Sequence, residues 1–399
     1  MIFAIIFYVI LFAMVKVNQE RQDFNRVMIA VSLGYWIRIF LSSFLREISF
    51  FTHGTGGDWA QYELSAEEIL GYWQLKGVQF VTNENFNIGS VPLPPNMIAL
   101  VSYLSGGYSR IGSESIIAFC SCLICFFVYK ISCIHDIDRK YSFKMFIFLM
   151  FSFTFLYYTS DLYKDAYVVF FVVSIFCLSF SFLQSGSIRS ASAAVFCLIA
   201  LWQVRPYMVL SSLPVFLWSL VGGKALLKSH RIVLALPIIL LVVSGFPALY
   251  SVLVNEAQTN LEHVQSIGWH SELQAGGSGV DLSRYEGSIL AVLLRVTYTL
   301  FSPFPWQGGS MGLQIAKFEI LIWYYVYYQA WFALRRLRKK DLGLFILFIL
   351  AVVPITYAYS LSFSNIGLIV RQRLPIVFII SVLGVWGKIW RDEENTKFA

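Results

Sequence analysis

Charged residues are scarce in this chain of 399 residues: they make up 13% of it, while hydrophobic residues make up 58%. Soluble domains carry about 25% charged residues, so this composition excludes an ordinary soluble domain. The apolar residues form runs long enough for helices to cross a hydrocarbon layer of ~30 Å. The weak alternation typical of membrane barrel strands is absent. The sequence therefore predicts an all-α polytopic membrane protein.

The motifs of many soluble enzymes are also missing. There is no P-loop or G-x-G-x-x-G stretch, so nucleotide-driven transport lacks support. No H-E-x-x-H or comparable ligand spacing is present, and His263 and His270 are seven residues apart. We therefore predict no metal site and no cofactor; a divalent cation is compatible with the chain, but nothing indicates one.

The six cysteines lie in or at the ends of apolar runs, which argues against disulfides and metal clusters. Residues 1–15 lack a basic leader and an Ala-x-Ala exit, so we expect the first apolar run to be retained as a span.

The formal charge of +7 is distributed in short segments between apolar runs. This distribution is a topology signal, because Lys and Arg concentrate on the cytoplasmic side of a membrane, and it does not favour nucleic acid as a partner. The basic segments assigned to the cytoplasm are Lys16–Arg26, His135–Lys144, Lys224–Arg231 and Arg335–Lys340.

About eleven spans satisfy this assignment, within a single transmembrane domain over 1–399. We expect the N-terminus outside and the C-terminus inside a cytoplasmic (inner) membrane. Two short apolar pieces, Pro94–Gly107 and Ile289–Phe301, are interpreted as helices in the outer interface. The long outside segments are then 46–113, 254–314 and 361–372. The predicted spans are 1–17, 27–45, 114–131, 145–159, 166–184, 190–203, 208–222, 232–253, 315–334, 341–360 and 373–389.

The first outside loop, 46–113, contains the candidate catalytic residue, Asp58. Glycines at 54, 56 and 57 let the backbone turn sharply and bring this carboxylate close to a ligand. An ordinary loop carboxylate or a helix N-cap is the alternative. A helix lying on the membrane surface is predicted to follow, because apolar residues recur there at helical spacing: Tyr62, Ala66, Ile69, Leu70 and Trp73.

Several arginines are predicted to lie on the outside, although Lys and Arg concentrate on the cytoplasmic side. They are Arg205, Arg295, Arg371 and Arg373. The planar fork of arginine suits phosphate oxygens, and a lipid-linked phosphate would lie at this depth. Snorkelling towards lipid headgroups is the alternative. Arg371 and Arg373 share a short loop with Asn365 and Gly367, before a span that starts at Pro375. Pro206 is expected to end the helix before it.

Two further charged groups are notable. Asp161, Lys164 and Asp165 form a cluster at an outer helix junction; they either complete a polar site with Asp58 or serve the helix dipole as N-terminal carboxylates with a Lys164 partner. Arg38 lies in the middle of an apolar run and should face protein or water.

The second outside loop, 254–314, is expected to act as a mobile lid, because glycines at 276, 277 and 279 give it freedom to move. It leads to a rigid aromatic corner at Ser302–Trp306, for which packing or interfacial anchoring is the alternative.

The order of these pieces resembles the GT-C superfamily of polytopic glycosyltransferases, which contains protein O-mannosyltransferases and lipid A aminoarabinose transferases. The resemblance is clearest over 46–185. Some relatives carry an acidic pair where this chain has Asp58-Trp59. The matching residues are Asp58, Tyr62, Ala66, Gly77, Pro92–Pro95, Ile98–Leu104, Gly106-Gly107, Val128–Lys130, Tyr157–Asp161 and Lys164-Asp165.

The resemblance implies an enzyme that uses a polyprenyl-phosphate or polyprenyl-diphosphate sugar at the outer face, with a glycan or lipid acceptor, in surface polysaccharide biosynthesis. Asp58 would be the general base or would orient the acceptor. The substrate-binding residues would be Tyr62, Asp161, Lys164, Asp165, Arg205, Arg371 and Arg373.

Two other functions remain open. A polysaccharide repeat-unit polymerase also joins polyprenyl-linked glycans through arginines in outside loops, and Arg371 and Arg373 suit it nearly as well. A transporter or flippase for lipid-linked sugars would favour two similar halves with broken helices, and the chain has no convincing internal repeat.

Overall fold

The computed structural model describes residues 1–47, 58–82, 91–136, 139–221, 280, 288–309, 311–361 and 366–398. Helices hold 86% of these residues and none of them forms a strand, which confirms the all-α class. The helices of this described part are α1 (Ile2–Asn18), α2 (Arg21–Glu47), α3 (Asp58–Lys76), α4 (Leu93–Leu104), α5 (Arg110–Ser132), α6 (Lys140–Phe151), α7 (Phe153–Thr159), α8 (Lys164–Ser185), α9 (Ile188–Trp202), α10 (Pro206–Val221), α11 (Ile289–Phe301), α12 (Met311–Lys340), α13 (Leu342–Leu361), α14 (Ile366–Gln372) and α15 (Leu374–Phe398).

Five helices of the described part are long and apolar enough to cross a membrane, and a bent pair would make a sixth. The count of eleven spans is not confirmed. Helices α1, α9 and α10 are apolar but have only 17, 15 and 16 residues. The predicted span 232–253 lies outside the described residues. The five candidate spans are Gln22–Ser42, Arg110–Ser132, Lys164–Ser185, Leu342–Ser360 and Leu374–Thr396.

The predicted span 145–159 falls on the bent pair, because the chain breaks at Ser152. Helices α6 and α7 meet there at an angle of 48°. Ser152 has extended backbone angles, φ −60° and ψ 135°, and its hydroxyl accepts from the Phe155 backbone N–H at 3.4 Å. A serine in this conformation ends one helix and caps the next. The break leaves carbonyls near the end of α6 without their helical partners.

Arg38 of α2 supplies donors to this break. Its Nη2 donates to the Met150 carbonyl at 3.0 Å, and its Nε donates to Thr159 Oγ1 at 3.1 Å. The guanidinium also lies 4.9 Å from the centre of the Phe155 ring. Arg38 was predicted to face protein or water; it is 1% exposed and faces protein. A buried cation of this kind ties α2 to both halves of the broken helix.

The described chain divides into two compact units, and the single domain expected over 1–399 stays a prediction. The first unit comprises Met1–Val173 and Gln203–Arg205, and the second comprises Ser174–Trp202 and Pro206–Ala399. In the first unit α5 contacts α1, α2, α4, α6 and α7, and α3 packs on α4.

The end of the first unit at which α5 finishes is held by Arg139. This residue has φ 54° and pairs with Glu20 and with Asp23, the latter at 2.5 Å. The hydrogen bonds that Arg139 donates to Glu20 and Asp23 raise the pKa of Arg139. Residues 16–26 and 135–144, which were both assigned to the cytoplasm, therefore meet at one end of this unit. The membrane side of that end stays a prediction.

In the second unit α12 packs closely on α15. A Cβ on Gly387 would lie 2.7 Å from the Gln329 carbonyl carbon, so only glycine permits this backbone approach. Arg336 of α12 pairs with Glu393 at 3.3 Å and with Glu394 at 3.8 Å. The basic run Arg335–Lys340 was expected in a loop; it instead forms the last turns of α12, because its long side chains favour the helix.

Candidate functional site

The cluster at Asp161, Lys164 and Asp165 lies where α7 ends and α8 begins. Asp161 is 5% exposed and its Oδ1 accepts from the Leu162 backbone N–H at 2.7 Å. Lys164 is half-buried and is the first residue of α8, so Asp165 lies in the first turn of that helix. The helix junction predicted here is confirmed. A carboxylate at this place is favoured by the helix dipole.

Arg205 joins this cluster from a distant part of the sequence. Its Nη1 lies 3.4 Å from Asp165 Oδ1, and both side chains are buried. The preceding helix α9 ends at Trp202 and Pro206 is the first residue of α10, which confirms that a helix ends before Pro206. The structure therefore brings Asp161, Lys164, Asp165 and Arg205 into one neighbourhood.

Residues 203–205 also contact the first loop. The Leu93 backbone N–H, at the start of α4, donates to the Gln203 carbonyl at 3.2 Å. Asn96 of α4 then binds the Val81 backbone twice, accepting at 3.0 Å and donating at 2.8 Å. The start of α4 is thus hydrogen-bonded to Val81, which follows α3, and to Gln203 of the 203–205 connection.

Helix α3 begins at Asp58 and packs on α4. The predicted helices of the first loop are confirmed, with α4 at Leu93–Leu104 where 94–107 was expected. Asp58 is the first residue of α3; its side chain and residues 48–57 lie outside the described part. Tyr62 is 2% exposed, so it belongs to the packed face of α3. The same face buries Ala66, Ile69, Leu70 and Trp73.

A second charged pair that was not predicted from the sequence, Arg110 and Glu114, is one turn apart at the start of α5. Arg110 Nε donates to Glu114 Oε1 at 2.8 Å, and its Nη2 donates to the Ser42 carbonyl at 2.9 Å. Glu114 is 2% exposed. The i, i+4 spacing of Arg110 and Glu114 is the sequence signal that could have identified this pair.

The late arginines belong to the second unit. Arg373 is 1% exposed and its Nη1 donates to the Ser302 carbonyl. Tyr324 and Tyr327 donate to the carbonyls of Phe301, at 2.6 Å, and Leu300, at 3.1 Å. Three successive carbonyls at the end of α11 thus receive side-chain donors. Arg373 therefore caps the end of α11, and this contact occupies part of the guanidinium that was predicted to bind phosphate.

Arg371 has a different environment. The short loop expected to hold it is instead a helix, α14 (Ile366–Gln372), whose apolar residues are largely buried. Arg371 lies in the last turn of α14 and is half-buried. Asn365 lies outside the described residues, and Pro375 is the second residue of α15, as predicted. Arg371 is therefore the more accessible of the two arginines.

Several expectations concern residues that the structure does not describe. The lid segment at 254–287, including His263, His270 and the glycines at 276, 277 and 279, lies outside the described part except for Val280. Its continuation contains α11 and the corner at Ser302–Trp306, where the Phe304 and Trp306 rings stack 5.0 Å apart. Among described residues, no group of three or more His, Cys, Asp or Glu could hold a metal ion.

Comparison of this chain with protein-family models, curated proteins and solved structures finds no match.

Proposed function

We propose that this chain is a membrane glycosyltransferase. It transfers a sugar from a polyprenyl-phosphate or polyprenyl-diphosphate donor to a glycan or lipid acceptor. The reaction takes place at the outer face of the cytoplasmic membrane, in the synthesis of a surface polysaccharide. In this orientation the N-terminus is outside, and the ends of α12 and α15 are in the cytoplasm.

One observation carries the proposal: the paired helices α3 and α4 lie beside the end of the first unit that gathers buried charges. Asp58 begins α3, and the start of α4 is hydrogen-bonded to the 203–205 connection that holds Arg205. Charges buried at a helix end are costly unless they serve a structure or a site. This is the arrangement expected of an enzyme that receives a polar headgroup at the membrane surface.

Asp58 is assigned the role of general base. Its carboxylate accepts the proton of an acceptor hydroxyl while the hydroxyl oxygen forms a bond to the anomeric carbon. The bond from that carbon to the phosphate oxygen breaks, and the phosphate leaves with the electron pair. A single displacement of this kind inverts the anomeric centre.

The buried pairs are assigned to binding. Arg205 is held by Asp165, and a fixed arginine stabilises the charge that develops on a leaving phosphate without having to reorganise. Asp161 and Lys164 are assigned to the sugar and its phosphate. Tyr62 supports the fold of α3, because it is buried in the packed face of that helix.

The proposal is tested by deleting the gene and identifying the lipid-linked sugars that accumulate. Glycosyl transfer predicts accumulation of a polyprenyl-linked donor sugar and loss of that sugar from surface glycans. If nothing accumulates and surface glycans are unchanged, glycosyl transfer is wrong. Sugar uptake into vesicles without a glycan product would instead establish transport.

A polymerase is separated from a transferase by two variants. Loss of activity in Arg371→Ala together with full activity in Asp58→Asn would favour the polymerase. Arg373→Ala is less informative, because Arg373 holds the Ser302 carbonyl and its loss disturbs the fold.

A further inference from the structure

Arg110 is the first residue of α5, and its guanidinium is fixed on two sides. Nε donates to Glu114 Oε1 at 2.8 Å, and Nη2 donates to the Ser42 carbonyl at 2.9 Å. The Glu114 side chain is 1% exposed, and a carboxylate so deeply buried requires a partner. The contact is therefore maintained, and it holds the planar guanidinium in one orientation.

The remaining edge of the guanidinium carries the N–H groups of Nη1. In the part of the chain that the structure describes, Nη1 of Arg110 has no acceptor, and the side chain is 33% exposed. Arg38 and Arg205 of the same unit are buried, at 1% and 7%. Of these three arginines, Arg110 is the one that a ligand arriving from outside the protein can reach.

The direction of the Arg110 side chain differs from that of a snorkelling arginine. Glu114 lies one turn further along α5, so Nε is drawn towards the body of the helix. A snorkelling side chain extends away from the hydrocarbon. Because α5 is a candidate span and Arg110 is its first residue, the remaining edge would lie where hydrocarbon meets water in the proposed orientation. Lipid phosphates lie at this depth.

We propose that the Nη1 edge of Arg110 binds the phosphate of the lipid-linked donor, with Glu114 and Ser42 as positioning residues. This inference rests on the proposed function and specifies where the donor phosphate is held. A fixed planar fork offers a phosphate oxygen charge-assisted hydrogen bonds in a set geometry. Prenyl phosphates, phospholipid headgroups and free phosphate share this chemistry, so the experiment must separate them.

The test measures the affinity of farnesyl phosphate, a short prenyl phosphate, for the full chain in phosphatidylcholine nanodiscs. Farnesol is the analogue without phosphate. Arg110→Gln should weaken binding of farnesyl phosphate by about tenfold or more, the effect of losing a charge-assisted hydrogen bond, and should leave farnesol binding unchanged. Glu114→Gln should cause a smaller loss, because Arg110 keeps its charge and loses its anchor.

Two controls keep the result interpretable. Arg189→Gln changes an exposed arginine of α9 and should not alter either affinity. Arg110→Gln alone leaves Glu114 buried without its partner, so the double variant Arg110→Gln/Glu114→Gln is measured as well. It removes both charges and should show the same selective loss of farnesyl phosphate binding. A purely structural role would weaken farnesol and farnesyl phosphate binding together.

The outcomes separate this inference from the proposed function. Equal affinity of the wild-type chain and the double variant for farnesyl phosphate would overturn the role of Arg110 and leave the transferase proposal standing. A wild-type chain that does not prefer farnesyl phosphate to farnesol would remove the donor class of the proposed function as well. Equally strong competition by inorganic phosphate, or by phosphatidylglycerol in the nanodisc, would overturn the assignment to a lipid-linked donor.

Discussion

Arg205 Nη1 lies 3.4 Å from Asp165 Oδ1, and both side chains are buried in the first unit. The two residues are 40 positions apart in the sequence, one in the first turn of α8 and the other just before α10. Their contact ties the 203–205 connection to the helix junction that holds Asp161. Since Gln203 also accepts from Leu93, the pair helps to fix the start of α4.

Removing one partner of this pair should destabilise the protein. Asp165→Asn or Arg205→Gln removes one member of the buried ion pair, and the expected loss is about 3–5 kcal/mol in the free energy of unfolding. The double variant Asp165→Asn/Arg205→Gln should recover much of that loss. Unfolding in detergent measures all three. If the two single losses simply add in the double variant, the pair is not coupled as described.

Arg38→Met tests the connection between α2 and the broken helix. The substitution leaves the Met150 carbonyl without its donor, and one unsatisfied buried group costs about 1–3 kcal/mol. The midpoint of thermal unfolding in detergent should therefore fall. Arg189→Met, at an exposed site of α9, should change the free energy of unfolding by no more than about 0.5 kcal/mol. An unchanged or higher midpoint for Arg38→Met would show that the break does not depend on Arg38.

Gly387→Ala tests the close approach of α12 and α15. The added methyl would meet the Gln329 backbone, so the helices must separate, at a cost of about 1–3 kcal/mol. Gly71→Ala is the matched control, because a Cβ at this exposed position of α3 has nothing within 4 Å. It should stabilise the helix by about 0.5–1 kcal/mol. Unfolding in detergent measures both variants. Equal changes in the free energy of unfolding for Gly387→Ala and Gly71→Ala would contradict the close packing of α12 on α15.

Features that depend on residues close together in the chain could be predicted from the sequence. Helical spacing from Tyr62 to Trp73 identified α3, and those residues are buried on one face. Pro206 predicted the end of the helix before it, and the position of Arg38 within an apolar run predicted that it faces protein or water. Each of these inferences depends on neighbours in the chain, on backbone geometry or on the cost of burying a charge.

Contacts between distant segments could not be predicted in this way. The break at Ser152 was missed because apolar residues flank it and hydropathy does not register a capping hydroxyl. The anchoring of Arg110 by Ser42 joins residues 68 positions apart, and that of Arg373 by Ser302 joins residues 71 apart. A sequence pattern shows that an arginine is present, whereas its partner depends on how the helices pack.

The proposed orientation is tested by cysteine labelling. Leu75→Cys lies on α3 at a site 87% exposed, and Lys339→Cys lies at the exposed end of α12. A membrane-impermeant maleimide should label the first variant in intact cells and the second only after permeabilisation. Five of the native cysteines are buried and Cys133 is partly so, which keeps background labelling low. The reverse pattern would invert the topology and remove Asp58 from the outer face.

The central claim is that Asp58 catalyses transfer of a sugar from a polyprenyl-linked donor. The most direct measurement is the amount of lipid-linked sugar in a deletion strain that is complemented with the wild-type chain or with Asp58→Asn at equal membrane abundance. We expect the lipid-linked sugar to accumulate in the deletion strain, to be cleared by the wild-type chain, and to persist with Asp58→Asn. Clearance by Asp58→Asn as complete as by the wild-type chain, or no accumulation in the deletion strain, would contradict the account.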